Sequence, residues 1–222
     1  MKFEIKGIRK KYGKNCPLTN VNLTAESGKC VGILGKNGSG KSTLLSILAG
    51  VRGADGGEFF ADGNNLFSDA GLLSDTVGYV PQGTPLIEEL SARDNLLLWY
   101  DKSSLIRELN GGVLDMLGIN EFINIPVRKM SGGMKKRLSI GCSVAKKPML
   151  LLLDEPCAAL DLICKQSIRE YLESFKAAGG AVILATHDEN ELSLCDQIYI
   201  LKDGVLSLCD YSGNVADLVA KL

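Results

Sequence analysis

The stretch CVGILGKNGSGKST, Cys30–Thr43, decides how this chain folds. Its first part, up to Gly35, is a short apolar run of the kind that forms a strand buried on both faces. Gly35 to Ser42 then satisfies the pattern G-x-x-x-x-G-K-[ST], and the following KSTLLSILAG has helical spacing up to Gly50. A buried strand, a glycine-rich loop and a helix in this order predict a phosphate-binding loop.

The chemistry of this phosphate loop follows from its residue types. Glycines let the backbone curl so that successive N–H groups point inward at an anion. We expect Lys41 to lie beside the β- and γ-phosphates of a nucleotide and Ser42 to offer its hydroxyl to Mg²⁺. The predicted nucleotide-binding residues of the loop are Gly35, Lys36, Asn37, Gly38, Ser39, Gly40, Lys41, Ser42 and Thr43. A glycine-rich turn without a ligand is the structural alternative, and it does not explain the Lys–Ser pair.

Candidate catalytic groups follow two further apolar runs. LLLLDEP ends in a carboxylate beside the phosphate loop, and we assign Asp154 as a Mg²⁺ partner. Glu155, one residue on, points elsewhere and is a candidate base toward a water molecule. The single histidine, His187 in LATHDE, is expected to bridge the γ-phosphate and the attacking water. A solvated acidic turn and a capping or core histidine are the alternatives.

A second glycine loop lies far downstream, in KMSGGMKKRLSIG from Lys129 to Gly141. Ser131, Gly132 and Gly133, here called the signature loop, precede a predicted helix and offer N–H groups to an anion at the positive end of the helix dipole. The basic run Lys135–Arg137 that follows is interpreted as a solvated helix face rather than a nucleic-acid patch.

Composition narrows the class of protein. The chain has 222 residues, of which 45% are hydrophobic, and Lys plus Arg (25) nearly balance Asp plus Glu (26). This balance gives no reason to expect binding to nucleic acid or to an acidic membrane surface. The seven cysteines form no C-x-x-C pair and there is one histidine, so we expect reduced thiols and no zinc-type cluster. No apolar run is long enough to cross a bilayer.

The order of apolar patterns predicts the organisation of the chain. KFEIKGI and LTNVNLTA alternate like half-buried strands, an edge strand is expected at Gly57 to Ala61, and TVGYVPQ indicates another strand. From about Leu90 to Lys147 the pattern is helical, and SLIRELNGGVLDMLG is interpreted as one helical stretch. Strands and helices then alternate again, ending with a helix at NVADLVAKL. We predict an α/β sheet core with a helical lobe inserted mid-chain.

Six of these elements together resemble the ATP-binding cassette (ABC) ATPase family over essentially the whole chain. GKNGSGKS resembles the Walker A loop, LLLLDEP the Walker B strand and SGGM the signature loop, usually LSGGQ. VPQ, ALD and TH resemble the Q-loop, the D-loop and the switch histidine through Gln82, Asp161 and His187. Tyr12, in KKYG, stands where the family places an aromatic side chain that stacks on adenine.

This resemblance implies a fold and a set of residue roles. The fold is α/β: a P-loop NTPase core with a mixed sheet, an N-terminal antiparallel β portion and an inserted α-helical subdomain. A single domain covers residues 1–222, with a core lobe at about 1–87 and 148–222 and a helical lobe at about 88–147. ATP and Mg²⁺ are the implied cofactors. The implied catalytic residues are Glu155, His187, Lys41 and Gln82, and the implied metal ligands are Ser42, Gln82 and Asp154. Tyr12, Ser131, Gly132, Gly133 and Asp161 join the phosphate loop as nucleotide-binding residues.

The resemblance also implies why there are two glycine loops. Two cassettes associate head to tail, as a homo- or heterodimer, and each signature loop closes over the γ-phosphate of the partner's ATP. Met134 departs from the usual Gln, so a polar contact to the partner's nucleotide is expected to be lost. The D-loop, preceded by CAA rather than a hydroxyl residue, is a lesser departure.

The implied function is ATP-driven transport, in the direction of export, through a membrane-spanning subunit. That subunit is expected to dock a cytoplasmic helix near Pro85–Tyr100, whose apolar residues otherwise belong to the core of the helical lobe. The chain is then cytoplasmic and peripheral on the inner face of the cell membrane, and no nucleic-acid partner is expected. The alternatives are a soluble ABC-type ATPase acting on nucleic acid or ribosomes, which the single cassette disfavours, and a regulatory module without turnover.

Overall fold

The structure is a computed structural model and describes residues 1–158, 160–186 and 188–210. His187 and the predicted C-terminal helix at NVADLVAKL lie outside the described residues. The strands of the described residues are β1 (Lys2–Tyr12), β2 (Asn15–Glu26), β3 (Cys30–Leu34), β4 (Gly56–Ala61), β5 (Asn64–Asn65), β6 (Val77–Val80), β7 (Leu150–Asp154), β8 (Ala181–Ala185), β9 (Gln197–Lys202) and β10 (Val205–Cys209).

The α-helices lie between these strands in the chain. In chain order they are α1 (Lys41–Leu48), α2 (Ala70–Thr76), α3 (Ala92–Leu96), α4 (Lys102–Leu109), α5 (Val113–Met116), α6 (Gly132–Ser143), α7 (Leu162–Ala177) and α8 (Glu189–Leu192). Short 3₁₀ turns occupy Leu66–Ser68, Ile119–Phe122 and Val127–Lys129. The predicted α/β class is therefore confirmed.

A six-stranded mixed sheet forms the centre, in the order β10-β9-β3-β8-β7-β6. All neighbours pair in parallel except β10, which returns antiparallel to β9. Every residue of β3, β7 and β8 is buried, which explains why these strands are apolar throughout rather than alternating. The carboxyl ends of β3, β7 and β8 therefore meet at one edge of the sheet, where ligands bind in open α/β sheets.

The two faces of β7 belong to different cores, because successive side chains of a strand point to opposite sides. Leu150 and Leu152 pack with α1 in a core that also contains side chains of the second sheet. Leu151 and Leu153 pack on the other face, with side chains of α6 and α7. Asp154 continues the Leu150–Leu152 alternation and so faces the side of the sheet on which α1 lies.

The second sheet is antiparallel, in the order β2-β1-β4-β5. The expectation of an edge strand at Gly57 to Ala61 is wrong, because β4 pairs with β1 on one side and with β5 on the other. The β5 strand has only two residues and carries no apolar alternation, so no pattern predicts it.

The stretch between β6 and β7 contains helices and no named strand. The single helical pattern expected for SLIRELNGGVLDMLG is interrupted, because α4 ends at Leu109 and α5 begins at Val113. Gly111 between them has a φ of +90°, a left-handed conformation that ends a helix and favours glycine. The boundaries of the two lobes stay a prediction, since the helices share a core with one face of the mixed sheet.

None of the helices in the described part of the chain combines the length and the apolar character needed to span a membrane.

Candidate functional site

The phosphate loop is built where β3 ends and α1 begins. Gly40, the residue before α1, has a φ of +108°, and a Cβ there would come within 2.8 Å of the Pro17 carbonyl oxygen. The amide of Ser39 donates to the Lys36 carbonyl at 3.0 Å and curls the loop. Glycine is therefore required at residue 40 both by conformation and by the close approach of β2.

Lys41 lies buried under this loop. Its ammonium group donates to the carbonyl oxygens of Gly35, at 2.7 Å, and Lys36, at 3.3 Å. Burial lowers the pKa of Lys41, and the carboxylates of Glu155 and Asp154 oppose that shift. The ammonium group is thus held at the floor of the loop, where phosphate oxygens would replace carbonyls as acceptors.

Asp154 carries the strongest sign of an absent ligand. Asp154 is only 2% exposed, and its Oδ1 atom is buried with no hydrogen-bond partner among the residues that the structure describes. Burial raises the pKa of Asp154, while Ser42 and Lys41 lower it. A buried acceptor left unsatisfied is costly unless something else occupies the site. The carboxylate and the Ser42 hydroxyl are oxygen ligands of the kind that Mg²⁺ prefers.

Glu155 and Gln82 meet at the mouth of the site. Glu155 has a φ of +49°, which turns the chain sharply out of β7, and its amide donates to Ala185 O at 2.9 Å. The side-chain amide of Gln82, Nε2, donates to Glu155 Oε2 at 2.9 Å. The catalytic acid–base candidate and the Q-loop residue are therefore already in contact.

These groups surround one cavity of about 330 Å³. Its lining contains Tyr12, Asn15, Pro17, Asn37, Gly38, Gly40, Lys41, Ser42, Thr43, Gln82 and Glu155. Tyr12 is exposed and its hydroxyl accepts a hydrogen bond from Arg52 at 3.1 Å. Sequence reasoning missed Asn15 and Pro17, because they carry no motif and reach the cavity only through the pairing of β1 with β2.

Eight predicted site residues of the described chain are absent from this lining. Gly35, Lys36 and Ser39 belong to the phosphate loop and Asp154 ends β7, whereas Ser131, Gly132, Gly133 and Asp161 belong to other segments. Ser131 begins α6, and its Oγ atom accepts from the Met134 amide at 3.2 Å. Asp161 begins α7 in the same way, with Oδ1 accepting from the Cys164 amide at 2.8 Å. A Cβ added at Gly133 would collide with Cys164 Sγ and lie 3.8 Å from Asp161 Oδ2. The signature loop and Asp161 thus form a second cluster at the adjoining starts of two helices.

This second cluster offers N–H groups outward. The first four amides of a helix lack intrahelical acceptors. In α6, Met134 donates to Ser131 Oγ and Lys135 to the Ser131 carbonyl, which leaves the amides of Gly132 and Gly133 for another acceptor. Ser131 and Gly132 are exposed, so an anion could approach them from outside the chain.

The interpretation of Lys135–Arg137 as a solvated face is wrong for its central residue. Lys136 is only 5% exposed, and its ammonium group donates to the carbonyls of Pro81, at 2.9 Å, and Gln82, at 3.0 Å. Arg137 is half-buried, stacks over Phe122 and donates to the Leu117 carbonyl at 3.0 Å. Tertiary contacts in the helical region, which local sequence does not encode, account for both.

The predicted catalytic His187 lies outside the described residues, but residues before and after it in the sequence are described. Thr186, directly before it, donates its hydroxyl to the buried Glu191 carboxylate, which also accepts from the Cys157 amide at 2.9 Å. Burial raises the pKa of Glu191, and these hydrogen bonds lower it. Sequence reasoning missed Glu191, because nothing in the pattern distinguishes it from the neighbouring acidic residues.

A second, wider cavity of about 860 Å³ adjoins the nucleotide cavity and is here called the groove. Ser42 and Thr43 line both cavities. The far wall of the groove includes Leu98 and Trp99, which are 58% and 59% exposed. The predicted docking region at Pro85–Tyr100 therefore contributes to an open apolar surface beside the phosphate loop.

Comparison with known sequences supports the resemblance. A sequence profile described as ABC transporter matches residues 18–158. The Nod factor export ATP-binding protein I of Sinorhizobium fredii is 35% identical over 91% of this chain, which spans 60% of that protein's length. The lantibiotic transport ATP-binding protein SrtF of Streptococcus pyogenes is 34% identical over 96% of this chain and 92% of its own length.

Solved structures give the same result. A dimeric ATP-binding cassette in a post-hydrolysis state, bound to ADP and Pi, is 30% identical with a TM-score of 0.80, over 92% of this chain and 96% of that one. An ATP-binding subunit of an ABC transporter superimposes with a TM-score of 0.88 at 23% identity, over 100% of this chain and 99% of that one, which supports the fold. The P-loop NTPase prediction is confirmed, and this chain belongs to the ABC transporter family as one of its ATP-binding cassettes, which are ATPases.

Proposed function

We propose that this chain hydrolyses ATP to drive export across a membrane, by closing on a second cassette beneath a membrane-spanning subunit. The observation that carries the proposal is the adjacency of the two cavities: Ser42 and Thr43 line both the nucleotide cavity and the open apolar groove. The same two residues therefore border both the nucleotide phosphates and a surface that a partner can cover.

Nucleotide binding uses the residues of the smaller cavity. Tyr12 would stack on the adenine, while Lys41 and the amides of the phosphate loop bind the phosphates. Ser42 and Asp154 would hold Mg²⁺, with Gln82 as a further ligand. Mg²⁺, when bound, neutralises charge on the phosphate oxygens. Within the described residues no three His, Cys, Asp or Glu side chains converge on a metal position, so nucleotide phosphates would complete the coordination.

Hydrolysis requires a positioned water. Glu155 would accept a proton from that water, and its contact with Gln82 holds the carboxylate at the cavity mouth before nucleotide arrives. His187 is proposed to orient the water against the γ-phosphate. Positioning and charge neutralisation supply most of the rate enhancement, as is general for phosphoryl transfer.

Closure requires a second cassette, because the signature loop does not line the chain's own nucleotide cavity. The exposed Ser131 and Gly132, and the amides at the start of α6 that have no acceptor among the described residues, are the groups proposed to bind the γ-phosphate held by the partner. The contact exists only while the γ-phosphate is present, so hydrolysis would reopen the pair. The solved cassette bound to ADP and Pi is dimeric, which supports this arrangement.

Transport is supported by the groove and by the relatives. Matched relatives are named for Nod factor export, lantibiotic transport and linearmycin resistance, and we extend export to this chain. An amphipathic cytoplasmic helix of a membrane subunit would cover Leu98 and Trp99. The chain would then be peripheral on the inner face of the cell membrane.

The test is to coexpress the chain with the membrane proteins encoded beside its gene and to measure ATPase activity of the detergent-solubilised complex. We expect copurification with a multi-span protein and altered ATP turnover in its presence. Leu98→Asp should lose both effects, while Ile106→Asp, a matched control at 57% exposure on α4 and outside the groove, should keep them. Equal behaviour of the two variants, or ATPase activity stimulated by RNA or ribosomes instead, would refute the transport proposal.

A further inference from the structure

Two cysteine thiols lie side by side at the amino end of β3, the end opposite the phosphate loop. The Sγ atoms of Cys30 and Cys195 are 3.6 Å apart, and both cysteines are free. The two residues are 165 positions apart in the sequence, and the parallel pairing of β3 with β9 brings them together. Two free thiols in direct contact are a candidate disulfide pair.

Gly32 makes the space that the second thiol occupies. Side chains two residues apart on a strand lie on the same face, so Gly32 and Cys30 share one face of β3. A Cβ at Gly32 would lie 2.8 Å from Cys195 Sγ. A glycine inside a strand often marks such a close approach of other atoms. The Cys195 sulfur therefore fills the place of the missing side chain, next to Cys30.

Backbone contacts hold the two cysteine-bearing segments together. The Cys30 amide donates to the Asp196 carboxylate at 2.8 Å, and the Asp196 amide donates to the Cys30 carbonyl at 2.8 Å. The same carboxylate pairs with the ammonium groups of Lys29 and Lys176, each at 3.0 Å. Because a disulfide has an S–S distance of about 2.05 Å, the sulfur atoms need to approach by only about 1.5 Å.

The two thiols differ in how a small molecule can reach them. Cys30 is 1% exposed, and its hydrogen bond with Cys195, together with burial, raises the pKa of its thiol well above the ordinary value. Cys195 is half-buried and lines a cavity of about 490 Å³. Reaction with an oxidant requires an accessible thiolate. Cys195 is therefore the thiol that reacts first, and Cys30 is the one that follows.

We propose that Cys30 and Cys195 are a redox-modification site, which hydrogen peroxide converts to a reversible disulfide. The Cys195 thiolate attacks one peroxide oxygen, the O–O bond breaks, and the other oxygen leaves as hydroxide and takes up the proton of that thiol as water. Cys195 is then a sulfenic acid. The Cys30 sulfur attacks the Cys195 sulfur, the S–O bond breaks, and the departing hydroxide takes the Cys30 proton as a second water. The two sulfur atoms thus lose two electrons, and one peroxide is reduced to two waters.

The disulfide is expected to slow ATP turnover, and this part of the inference rests on the proposed function. The Cys195 thiol donates to the Glu191 carbonyl at 3.5 Å, and the Glu191 carboxylate accepts from the Thr186 hydroxyl and the Cys157 amide. Thr186 directly precedes His187, which is proposed to orient the attacking water. A displacement of about 1 Å can cost about 10²-fold in rate, so turnover should fall roughly 3- to 100-fold on oxidation.

The experiment treats the purified, fully reduced chain with hydrogen peroxide in slight molar excess, and then blocks the remaining thiols with N-ethylmaleimide. Trypsin releases Cys30 on residues 30–36 and Cys195 on residues 177–202, each as the only cysteine of its peptide. Mass spectrometry should find these two peptides joined, with the mass of the pair lower by two hydrogen atoms. Dithiothreitol should separate them and restore ATP turnover.

Three variants test the assigned order of the two thiols. Cys195→Ser should form no disulfide and should keep its turnover in peroxide. Cys30→Ala should stop at the sulfenic acid of Cys195, which dimedone traps as a stable adduct; Cys30→Ser takes its place if that variant does not fold. Cys16→Ser, which removes an exposed thiol of β2, is the matched control and should behave as the unaltered chain.

The outcomes separate the modification site from its effect and from the proposed function. Blocked thiols at both Cys30 and Cys195 after a treatment that oxidises the exposed Cys16 would overturn the site, as would a disulfide between Cys195 and Cys209. A mapped disulfide with unchanged turnover would overturn the effect on hydrolysis alone. A reduced chain without ATPase activity would contradict the proposed function, while the peptide map would still decide whether the disulfide forms.

Discussion

The two glycine loops begin with similar chemistry and end in opposite surroundings. Each precedes a helix and offers backbone amides with a serine hydroxyl. The phosphate loop is enclosed by its own chain at both ends, although Lys36, Asn37 and Gly38 between them are exposed. A Cβ at Gly35 would lie 2.7 Å from the Leu201 carbonyl, and one at Gly40 would meet Pro17. The signature loop is enclosed on one side only, where Gly133 packs on Cys164, while Ser131 and Gly132 face solvent.

This difference separates what a motif determines from what its surroundings determine. The residue types of both loops make them anion sites. Only the first has a buried lysine and, beside Ser42, a carboxylate with a buried oxygen that has no partner among the described residues. The signature loop has neither a buried lysine nor such a carboxylate, and its Ser131 and Gly132 are exposed. We therefore expect ATP hydrolysis at the phosphate loop and binding of a second chain at the signature loop. Variants of either loop test this difference.

Glu155→Gln gives the largest expected effect. Gln keeps the shape of the side chain but cannot accept a proton from water, so ATP turnover should fall on the order of 10²-fold or more. ATP affinity should stay within about twofold, because the phosphates contact the loop and Lys41 rather than this carboxylate. Turnover is followed by phosphate release and affinity by a fluorescent nucleotide. Glu173→Gln, on the exposed face of α7, is the control. Normal hydrolysis by Glu155→Gln would contradict the assignment of hydrolysis to the site at the phosphate loop.

Lys41→Met should weaken nucleotide binding itself. The variant loses a charge-assisted hydrogen bond to the phosphates, so the Kd for ATP should rise roughly 10- to 100-fold. The loop is also expected to lose the two hydrogen bonds that Lys41 makes to its carbonyls. Calorimetric titration measures the affinity, with Lys102→Met, an exposed lysine at the start of α4, as the control. An unchanged affinity would contradict the assignment of the phosphate loop.

The sequence predicted the phosphate loop far better than it predicted the surroundings of the signature loop. Cys30 to Leu48 reads directly as strand, loop and helix, since local periodicity and glycine positions determine all three. The side of β7 on which Asp154 lies follows from simple alternation along the strand. These features depend on residues close together in the chain.

What the sequence could not predict depends on long-range contacts. Lys136 is buried because the backbone of Pro81 and Gln82 lies against α6, and three consecutive basic residues give no sign of it. The unpaired Oδ1 of Asp154 likewise depends on the packing of every neighbour. Asp161 also caps α7, since its Oδ1 accepts from the Cys164 amide, and its predicted nucleotide role stays a prediction.

Gly132→Ala tests the open loop without disturbing the chain. A Cβ at Gly132 has only Leu160 Cδ2 nearby, at 3.9 Å, so the free energy of unfolding should stay the same or rise by about 0.5 kcal/mol. ATP-dependent association should nevertheless weaken about 10-fold, since a methyl group there faces the partner and the loss of one charged hydrogen bond has that size. Sedimentation in the Glu155→Gln background measures association.

Gly133→Ala is the contrasting variant at the next residue. Its methyl group would collide with Cys164 Sγ, and overpacking of this kind should destabilise the chain itself by roughly 1–3 kcal/mol. Denaturant unfolding of the two variants therefore distinguishes an outward surface from an inward one. If Gly132→Ala associated normally, the signature loop would have no role between chains.

Met134→Gln gives the smallest expected effect, and it decides whether the departure from the family pattern weakens the open loop. Met134 is half-buried and packs against the core that contains the helices, so its side chain contributes to the chain's own stability. Gln there should lower the free energy of unfolding by about 1 kcal/mol, because part of a polar amide replaces a thioether against apolar neighbours. ATP-dependent association should change by less than about threefold, because backbone amides and Ser131 provide the anion contacts. Met134→Leu, which preserves packing, separates the two contributions: a gain of 10-fold or more in association with Gln but not with Leu would show that the native methionine limits closure.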